Sequence, residues 1–276
     1  MHKIINGKEI AETLLGSAKT ETSKLQIKPK LVIITYNADE RSRVYIDLKL
    51  KKAKGVGIDC DLIDWSGKTL IDCKSEMHKL ASNDSVDAII VQLPMIDLEN
   101  SQEVLDLIPT NKDVDGLSST SIEALKNNNY LLTPATPKAI LEIIEQEDIG
   151  LNGKNILVIG KGKLVGLPLS IILKNKGYEV ITVDKNTKNL SDITKKADVI
   201  ISAAGAPKLL TGDIVKNGVI ILDAGAAEAD GKIVGDVDYK SVELKTSIIS
   251  KVPGGIGPVT VACLFENVIQ TTKNSR

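Results

Sequence analysis

Short apolar runs rich in β-branched residues alternate with amphipathic stretches along most of this 276-residue chain. That alternation is typical of βα units, which build a mainly parallel sheet flanked by helices. In the N-terminal half it predicts strands over 31–35, 58–63 and 86–91, a helix beginning near Ser42, and a helix over 69–81. In the C-terminal half it predicts strands over 156–159, 179–183, 199–202 and 219–223, and a helix over 165–174. The chain is therefore expected to be an α/β protein, with Rossmann-like order in its second half.

A break in this alternation divides the chain. Residues 132–137 read Leu-Thr-Pro-Ala-Thr-Pro, in which two prolines disfavour a continuing helix before the second proline begins a new one. A length of 276 residues also suits two α/β lobes better than one core. We predict a first domain over 1–135 and a dinucleotide-binding domain over 136–257. The apolar helical pattern that follows predicts that residues 258–276 return to complete the first domain.

Composition and charge exclude several classes of protein. Thirty-five Lys and Arg against 36 Asp and Glu give a formal net charge of -1, so no overall field favours nucleic acid or an anionic membrane. No apolar run approaches the roughly 18 residues of a spanning helix, and the first residues lack a signal-peptide core, so a cytoplasmic protein is expected. Three scattered cysteines and two histidines predict no disulfide framework, no metal site and no Ser-His-Asp triad. A lysine or a carboxylate must then carry any proton chemistry.

A glycine-rich turn follows the first predicted strand of the second half. Gly160, Gly162 and Gly166 have the spacing GxGxxxG, one residue longer than the usual dinucleotide fingerprint. Small residues between a strand and a helix let phosphates approach the backbone N–H groups of the helix N-terminus. Such a turn is also the default use of glycine, so the surrounding strands carry much of this interpretation. Gly205 and Ala226, which follow later strands, are further candidate cofactor contacts at the same edge of the sheet.

The sequence leaves the choice between NAD and NADP open. Asp184 ends a predicted strand 24 residues after Gly160, where an acidic group would bind the ribose 2′-hydroxyl of NAD. Lys161 and Lys185 flank the same place and could neutralise the 2′-phosphate of NADP, with Asp184 turned aside to pair one of them. The alternative is that both lysines lie on a solvated surface. We favour NADP, with NAD as the other coenzyme to be tested.

A second group of candidate residues lies in the first half. Tyr45 and Lys49 are four residues apart and therefore share one face of the predicted helix. Gln92 ends a hydrophobic strand, and Asp115 lies in a loop before Gly116, so both side chains could reach one cleft. The alternatives are a lysine whose stem lies along an ordinary basic helix and a common turn aspartate.

These residues fall within motifs that cover nearly the whole chain, and the chain resembles the bifunctional methylenetetrahydrofolate dehydrogenase/methenyltetrahydrofolate cyclohydrolase family. The matching motifs are Ser42-x-x-Tyr45-x-x-x-Lys49, Val91-Gln92-Leu93-Pro94, Lys112-Asp113-Val114-Asp115-Gly116, Thr136-Pro137, Val165-Gly166-x-Pro168, Gly235-Asp236-Val237-Asp238 and Pro253-Gly254-Gly255-Ile256-Gly257-Pro258-Val259-Thr260. Chance agreement of so many ordered motifs is very improbable.

The resemblance implies two lobes with a cleft between them, and a homodimer built through the cofactor lobes. It implies NADP-dependent oxidation of 5,10-methylenetetrahydrofolate to the methenyl form, followed by hydrolysis to 10-formyltetrahydrofolate. Lys49 is the candidate for proton transfer, with Tyr45 and Gln92 orienting it. Asp115 is expected to bind the pterin, and Pro253 and Gly254 are further substrate-binding candidates. An ordinary lysine has a pKa of about 10.4, so acting as a base near neutrality requires lowering it by roughly 2 to 3 units.

The chain departs from the family's pattern near the expected cofactor. Lys161-Gly162 replaces the usual Arg-Ser, and lysine cannot reproduce the bidentate fork of arginine on a phosphate. Ala135 stands where a cysteine is common. Two other hypotheses follow: a cyclohydrolase with a degenerate cofactor lobe, and a folate or nucleotide sensor without turnover. Intact Lys49, Gln92 and Asp115 oppose the second of these.

Overall fold

A computed structural model describes residues 2–229 and 231–275, which form two compact units. One unit contains Glu12–Ala135 and the chain from Val261 onward; the other contains the chain up to Ala11 and Thr136–Thr260. The strands are β1 Lys3–Ile5, β2 Lys30–Thr35, β3 Asp59–Asp64, β4 Ala88–Val91, β5 Ile156–Ile159, β6 Val180–Val183, β7 Val199–Ser202, β8 Val219–Asp223, β9 Ala227–Ala229, β10 Lys232–Val234 and β11 Thr246–Ser250. The α-helices are α1 Gly7–Ser23, α2 Glu40–Gly55, α3 Leu70–Ala81, α4 Gln102–Leu105, α5 Ser119–Lys126, α6 Ala135–Gln146, α7 Gly166–Asn175, α8 Leu190–Thr194, α9 Tyr239–Val242 and α10 Ile256–Ser275, and a 3₁₀ turn covers Gly212–Ile214.

The unit that contains Lys49 is a three-layer sandwich around a short parallel sheet in the order β3-β2-β4. Side chains alternate across β2, so Leu31 and Ile33 enter one buried cluster while Val32 and Ile34 enter another. The first cluster includes residues of α2 and α10, among them the fully buried Phe265. The second includes residues of α3 and α4. Burial on both faces explains why β2 and β4 are almost continuously apolar, whereas the edge strand β3 is largely exposed and carries three aspartates.

The predicted elements of this unit are present, with shifted ends. The strands expected at 58–63 and 86–91 run over Asp59–Asp64 and Ala88–Val91. The helix expected near Ser42 begins two residues earlier, at Glu40, because the Asp39 side chain caps it by accepting a hydrogen bond from the Ser42 N–H at 2.7 Å. The helix expected over 69–81 has Thr69 as its N-cap, and a reciprocal bond with Asp72 completes a capping box.

The other unit contains a six-stranded, all-parallel sheet in the order β1-β11-β8-β7-β5-β6. Strands β5, β7 and β8 have the predicted bounds, while β6 and α7 each begin one residue later than predicted. From β5 the chain adds β6 on one side of the sheet and then β7 and β8 on the other. The carboxyl ends of β5 and β7 therefore flank a topological switch point, the place where open α/β sheets bind ligands. The predicted α/β class and Rossmann-like order are confirmed.

The ends of the chain differ from the sequence prediction. Residues 1–135 were expected to share one domain, but β1 pairs in parallel with β11 of the six-stranded sheet, with Lys3 opposite Ile248. A three-residue strand whose partner lies 245 residues away has no local signal in the sequence. The C-terminal helix begins at Ile256, two residues before the expected position, and continues to Ser275.

Candidate active site

Lys49 lies in the third turn of α2 and is 9% exposed. Its Nζ donates a hydrogen bond to Gln92 Oε1 at 3.0 Å. Most lysines reach solvent, so burial of an ammonium group against a neutral amide is unusual and costly unless the group loses its proton. The predicted alternative of an ordinary surface lysine is therefore wrong for this residue.

Gln92 is held at the end of β4, next to Lys49. Its backbone N–H donates to the carbonyl oxygen of Ile34 at 2.8 Å, which extends the pairing of β2 with β4. Its side-chain Nε2 donates to the carbonyl oxygen of Leu93 at 3.2 Å. Because the amide nitrogen is engaged there, the oxygen is left facing Lys49. The glutamine thus supplies an acceptor without supplying a charge.

A tightly tied loop carries Asp115. Asp113 accepts hydrogen bonds from the N–H groups of Leu117 at 3.0 Å and Ser118 at 2.9 Å, and from Ser121 Oγ at 2.7 Å. On the other side of the loop, Lys112 Nζ donates to the carbonyl oxygens of Ala81 and Asn83, both at 2.9 Å. These bonds hold both sides of the turn, and Asp115 itself is only 8% exposed.

Two further contacts fix the same loop. Asn267 of α10 donates through Nδ2 to the carbonyl oxygens of Val114 at 3.0 Å and Thr133 at 2.8 Å. Gly116 has a φ of +66°, and a Cβ there would lie 2.5 Å from Pro134 Cγ. Neither Asn267 nor Asp113 was among the residues predicted for the site, although Asp113 belongs to the motif Lys112-Asp113-Val114-Asp115-Gly116.

The environment of this group favours neutral forms. Burial lowers the pKa of Lys49, and the nearby charge of Asp115 opposes that shift. Burial raises the pKa of Asp115, and Asp113 adds to the increase while Lys49 opposes it. Cys60 on β3 also interacts with Lys49, and burial raises the pKa of its thiol to about 11, so it is an inert thiol at neutral pH. A lysine with a lowered pKa can accept a proton near neutrality.

Tyr45 lies on α2 one turn before Lys49 and is half-buried. Its position on the same helical face agrees with the four-residue spacing. The structure thus brings Lys49, Gln92 and Asp115 into one electrostatically coupled group, with Tyr45 on the adjoining turn.

The glycine turn of the other unit is built by close backbone approach. Gly160 has a φ of +103°, and a Cβ there would lie 2.4 Å from the carbonyl oxygen of Ala203. A Cβ on Gly166 would lie 1.9 Å from the carbonyl oxygen of Gly160. By contrast, a Cβ on Gly162 would meet nothing within 4 Å. Gly160 and Gly166 are therefore needed by the protein's own packing, whereas Gly162 faces open space.

The first turn of α7 follows the glycine turn directly: the Leu167 N–H donates to the carbonyl oxygen of Gly162 at 3.0 Å, and Pro168 has no N–H. Val165 is its N-cap residue, and a valine side chain cannot accept a hydrogen bond from the first backbone N–H groups. The dipole of this helix still suits an anionic phosphate near its N-terminus. Gly205 follows β7 with a φ of +65° and open space around its Cβ position, while Ala226 is half-buried after β8.

Lys161 and Asp184 form an ion pair, with 3.1 Å between Nζ and Oδ2. Asp184 Oδ1 also accepts the Asn186 N–H at 3.0 Å. The hydrogen bond from Lys161 is the main reason that the pKa of Asp184 is lowered. Lys185 follows as an exposed residue. The carboxylate is thus turned toward a lysine, as in the arrangement that the sequence analysis connected with NADP.

Pro253 and Gly254 lie in the turn before α10, in the same unit as the glycine turn. The Val252–Pro253 peptide is cis, and Gly254 has a φ of +104°. The Gly255 N–H closes the turn by donating to the carbonyl oxygen of Lys251 at 2.7 Å. Lys251 Nζ in turn lies 3.7 Å from the centroid of the Tyr239 ring, a cation–π contact that anchors the start of the turn.

Over residues 2–229 and 231–275, no group of three or more His, Cys, Asp or Glu side chains is arranged to hold a metal ion. Within the same residues, no helix has the length and apolarity needed to cross a membrane.

Comparison with known proteins gives consistent matches over both units. Residues 5–115 match the family model for the catalytic domain of tetrahydrofolate dehydrogenase/cyclohydrolase, and residues 134–276 match the model for its NAD(P)-binding domain. The bifunctional protein FolD of Lactobacillus helveticus is 36% identical, over 99% of this chain and 98% of that protein.

Solved structures agree. The bifunctional FolD methylenetetrahydrofolate dehydrogenase/cyclohydrolase of Campylobacter jejuni is 34% identical, with 99% of each chain covered and a TM-score of 0.94. The Trypanosoma brucei methylenetetrahydrofolate dehydrogenase-cyclohydrolase, solved with NADP cofactor and inhibitor, is 28% identical, with 99% of this chain and 98% of that chain covered and a TM-score of 0.94.

Proposed function

This chain belongs to the tetrahydrofolate dehydrogenase/cyclohydrolase family, and on that premise we propose how its residues perform the two reactions. The enzyme oxidises 5,10-methylenetetrahydrofolate to 5,10-methenyltetrahydrofolate with NADP, and hydrolyses the methenyl form to 10-formyltetrahydrofolate. The observation that carries the assignment of residues is the hydrogen bond from the buried Lys49 to Gln92, with the charge of Asp115 close to Lys49.

The oxidation needs alignment more than acid–base chemistry. NADP, when bound, supplies the acceptor for the hydrogen and electron pair that leave the folate methylene carbon. The folate nitrogens stabilise the cation that results, so the protein mainly holds two rings in register. The residues at the strand ends fit a dinucleotide: Gly162 and Gly205 face open space, and the positive end of the α7 dipole follows Gly162. We assign the binding of NADP to Gly160, Lys161, Gly162, Lys185, Gly205 and Ala226.

Hydrolysis needs a proton acceptor. Water adds to the methenyl carbon and loses one proton. The hydroxyl that results loses its own proton as the formyl C=O forms and the C–N bond to one ring nitrogen breaks; that nitrogen takes up a proton, so one proton is released to solvent overall. We assign the first and the last of these proton movements to Lys49, which accepts the proton as a neutral amine and returns it as an ammonium group. Burial lowers the pKa of Lys49 toward this role. Gln92 orients the amine. Because the amide is neutral, it does not stabilise the ammonium form in the way that a carboxylate would.

The remaining candidates bind or orient the folate. Asp115, held by the loop that Asp113 ties, is suited to accept hydrogen bonds from the amino group and ring N–H of a pterin. Tyr45, one turn before Lys49 on α2, offers an aromatic face for stacking and a hydroxyl for hydrogen bonding. Pro253 and Gly254 complete the proposed set of substrate contacts.

For the coenzyme we propose a preference for NADP over NAD. Lys161 engages Asp184 at 3.1 Å, so the carboxylate is less available to a ribose hydroxyl. Lys161 is half exposed and Lys185 is exposed, so both ammonium groups can approach a 2′-phosphate. The ammonium groups of Lys161 and Lys185 would bind the 2′-phosphate as two point charges, in place of the bidentate contact that the arginine usual in the family would make.

Assembly and location complete the proposal. We propose a homodimer through the cofactor-binding unit, whose edge strand β6 leaves Ile181 53% exposed. We also propose a first domain that begins at residue 12 rather than at residue 1, runs to 135 and is completed by the C-terminal helix, and a cofactor domain over 136–257 that includes the chain up to Ala11. The cytoplasmic location expected from the sequence stays a prediction.

The test of the proposed function is the initial rate of NADPH formation from 5,10-methylenetetrahydrofolate, with a parallel assay containing NAD. A faster rate with NADP is the expected result. No rate with either coenzyme, together with intact hydrolysis of the methenyl form, would identify a cyclohydrolase alone. Ligand binding without turnover in either assay would identify a sensor.

A further inference from the structure

Asp236 is a buried carboxylate that neither reaction uses. It lies between β10 and α9 and has 0% exposure. Its Oδ2 accepts hydrogen bonds from Ser202 Oγ at 2.6 Å and from the Ala204 N–H at 2.8 Å. Its Oδ1 accepts from the Ala206 N–H at 2.7 Å. All three donors are neutral, and two of them are backbone groups of the loop that contains Gly205.

A second buried carboxylate continues this arrangement. Asp223 ends β8, and its Oδ1 accepts from the N–H groups of Gly225 at 2.9 Å and Asp236 at 3.2 Å. Its Oδ2 accepts from the Val237 N–H at 3.1 Å. Burial, together with the charge of Asp236, raises the pKa of Asp223 to about 7. Asp223 therefore connects the loop after β8 to the segment that carries Asp236.

Two glycines allow this close approach. A Cβ on Gly225 would lie 2.3 Å from Asp236 Cγ, and a Cβ on Gly235 would lie 2.0 Å from Asp223 Oδ2. The backbone adds its own bonds, because Leu210 N–H donates to the Asp236 carbonyl oxygen at 3.0 Å. The segment is thus fitted to the two carboxylates with no space for a larger residue.

The two tied loops follow neighbouring strands at the edge of the sheet where we place the dinucleotide. Loop 203–206 follows β7 and includes Gly205, and loop 224–226 follows β8 and ends at Ala226. Neither loop contains residues in a helix or a strand. Their conformation depends on acceptors that the rest of the unit provides, and the two carboxylates are the acceptors for three of their N–H groups.

We propose that Asp236 is a positioning residue for the dinucleotide. It fixes the loop after β7 directly and, through Asp223, the loop after β8, so that their backbone faces the cofactor in one arrangement. The inference rests on the proposed function, which places NADP at these loops. It adds a residue that holds the site without touching the cofactor.

The Asp236→Asn variant tests this role because it keeps the shape of the side chain. One of its two polar atoms becomes a donor, so either Ala206 or the Ser202 and Ala204 pair loses its acceptor. We expect the KM for NADP to rise by about tenfold, because a loop that has lost its acceptor must be reordered when the cofactor binds, at a cost comparable to that of one buried hydrogen bond. Hydrolysis of 5,10-methenyltetrahydrofolate should stay within about twofold, because Lys49, Gln92 and Asp115 lie in the other unit and no coenzyme is consumed.

A matched control is Asp213→Asn, an exposed aspartate of the same unit whose carboxylate bonds only locally, to Thr211 Oγ1 at 2.6 Å. This variant should bind NADP like the wild type. Direct titration of NADP by calorimetry separates two failures. A wild-type protein that does not bind NADP would overturn the proposed function, whereas equal affinities of wild type and Asp236→Asn would overturn the positioning role.

A purely structural role would lower the melting temperature of Asp236→Asn and leave its NADP affinity and the NADP-induced rise in melting temperature unchanged, which would also overturn the proposal. If Asp236→Asn does not fold, Ser202→Ala removes one donor and leaves the carboxylate in place. That variant should raise the KM for NADP about threefold to tenfold. An unchanged KM in a folded Ser202→Ala protein would contradict the proposal.

Discussion

Replacing Gln92 with glutamate should slow hydrolysis, because a carboxylate beside Lys49 keeps the lysine protonated. The change places a carboxylate oxygen where an amide oxygen now accepts the Lys49 hydrogen bond at 3.0 Å. At that distance, Coulomb attraction with an effective dielectric constant near 20 is about 5 kcal/mol, an upper bound before the new carboxylate is desolvated. Opposite charges in proteins commonly shift a pKa by about 1 to 3 units. The pKa of Lys49 should rise by that amount.

The expected result follows from the loss of neutral amine. At a fixed pH near neutrality, each unit added to the pKa of Lys49 leaves about tenfold less of the proton-accepting form, so hydrolysis should fall by about 10- to 1,000-fold. Activity should return as the pH is raised, because the titration is displaced and the amine is still present. Burial lowers the pKa of Lys49 in the wild type. The rising limb of the wild-type pH–rate profile for hydrolysis should therefore lie at lower pH than that of Gln92→Glu.

The assay is the decay of methenyl absorbance between about pH 6 and pH 9, with the uncatalysed rate subtracted. Gln92→Met is the matched control, since it removes the acceptor and adds no charge. It should lower the rate without moving the limb to higher pH. Equal losses in the two variants, with no displacement of the limb, would refute control by the protonation of Lys49.

Three further changes test other parts of the proposal. Asp115→Ala should raise the KM for folate by about tenfold or more with NADP affinity preserved, and a normal folate KM would contradict the pterin contact. Lys161→Ala should raise the KM for NADP about threefold to tenfold and lower that for NAD, because Asp184 is released; parallel changes for both coenzymes would argue against this assignment. Gly166→Ala should lower the free energy of unfolding by about 1 to 3 kcal/mol in urea denaturation, because its Cβ would lie 1.9 Å from a backbone oxygen. Gly150→Ala, with nothing within 4 Å, is its control and should be near neutral, so equal losses would show that packing is not the cause.

Much of the α/β framework could be predicted because its strands are buried on both faces. The strands at Ile156–Ile159, Val199–Ser202 and Val219–Asp223 appear in the sequence as continuous β-branched runs between polar segments, and their bounds were predicted to the residue. β1 and β11 were missed because their pairing joins segments 245 residues apart, and Lys3 and Ile4 of β1 are exposed. Such a strand is specified by its partner and has little signal of its own.

The candidate site shows the same division between local and distant information. Lys49, Gln92 and Asp115 could be proposed from motifs, but only the fold shows that Lys49 is buried and donates to Gln92. The sequence allowed two interpretations of Asp184, pairing with a lysine or binding a ribose hydroxyl, because spacing alone does not show the direction of a carboxylate. The structure has Asp184 paired with Lys161. Asp236 was quoted only as part of a motif, because its donors lie 30 to 34 residues away along the chain.

The most direct test of the account compares Lys49→Met with the wild type in one preparation of each, measuring hydrolysis of 5,10-methenyltetrahydrofolate and the dissociation constant of NADP. Methionine keeps much of the length of the buried side chain and removes its proton-accepting amine. If Lys49 is the general base, hydrolysis should fall by about 100- to 10,000-fold, the usual contribution of such a group, while the affinity for NADP stays unchanged. Hydrolysis at the wild-type rate in a folded Lys49→Met protein would contradict this assignment.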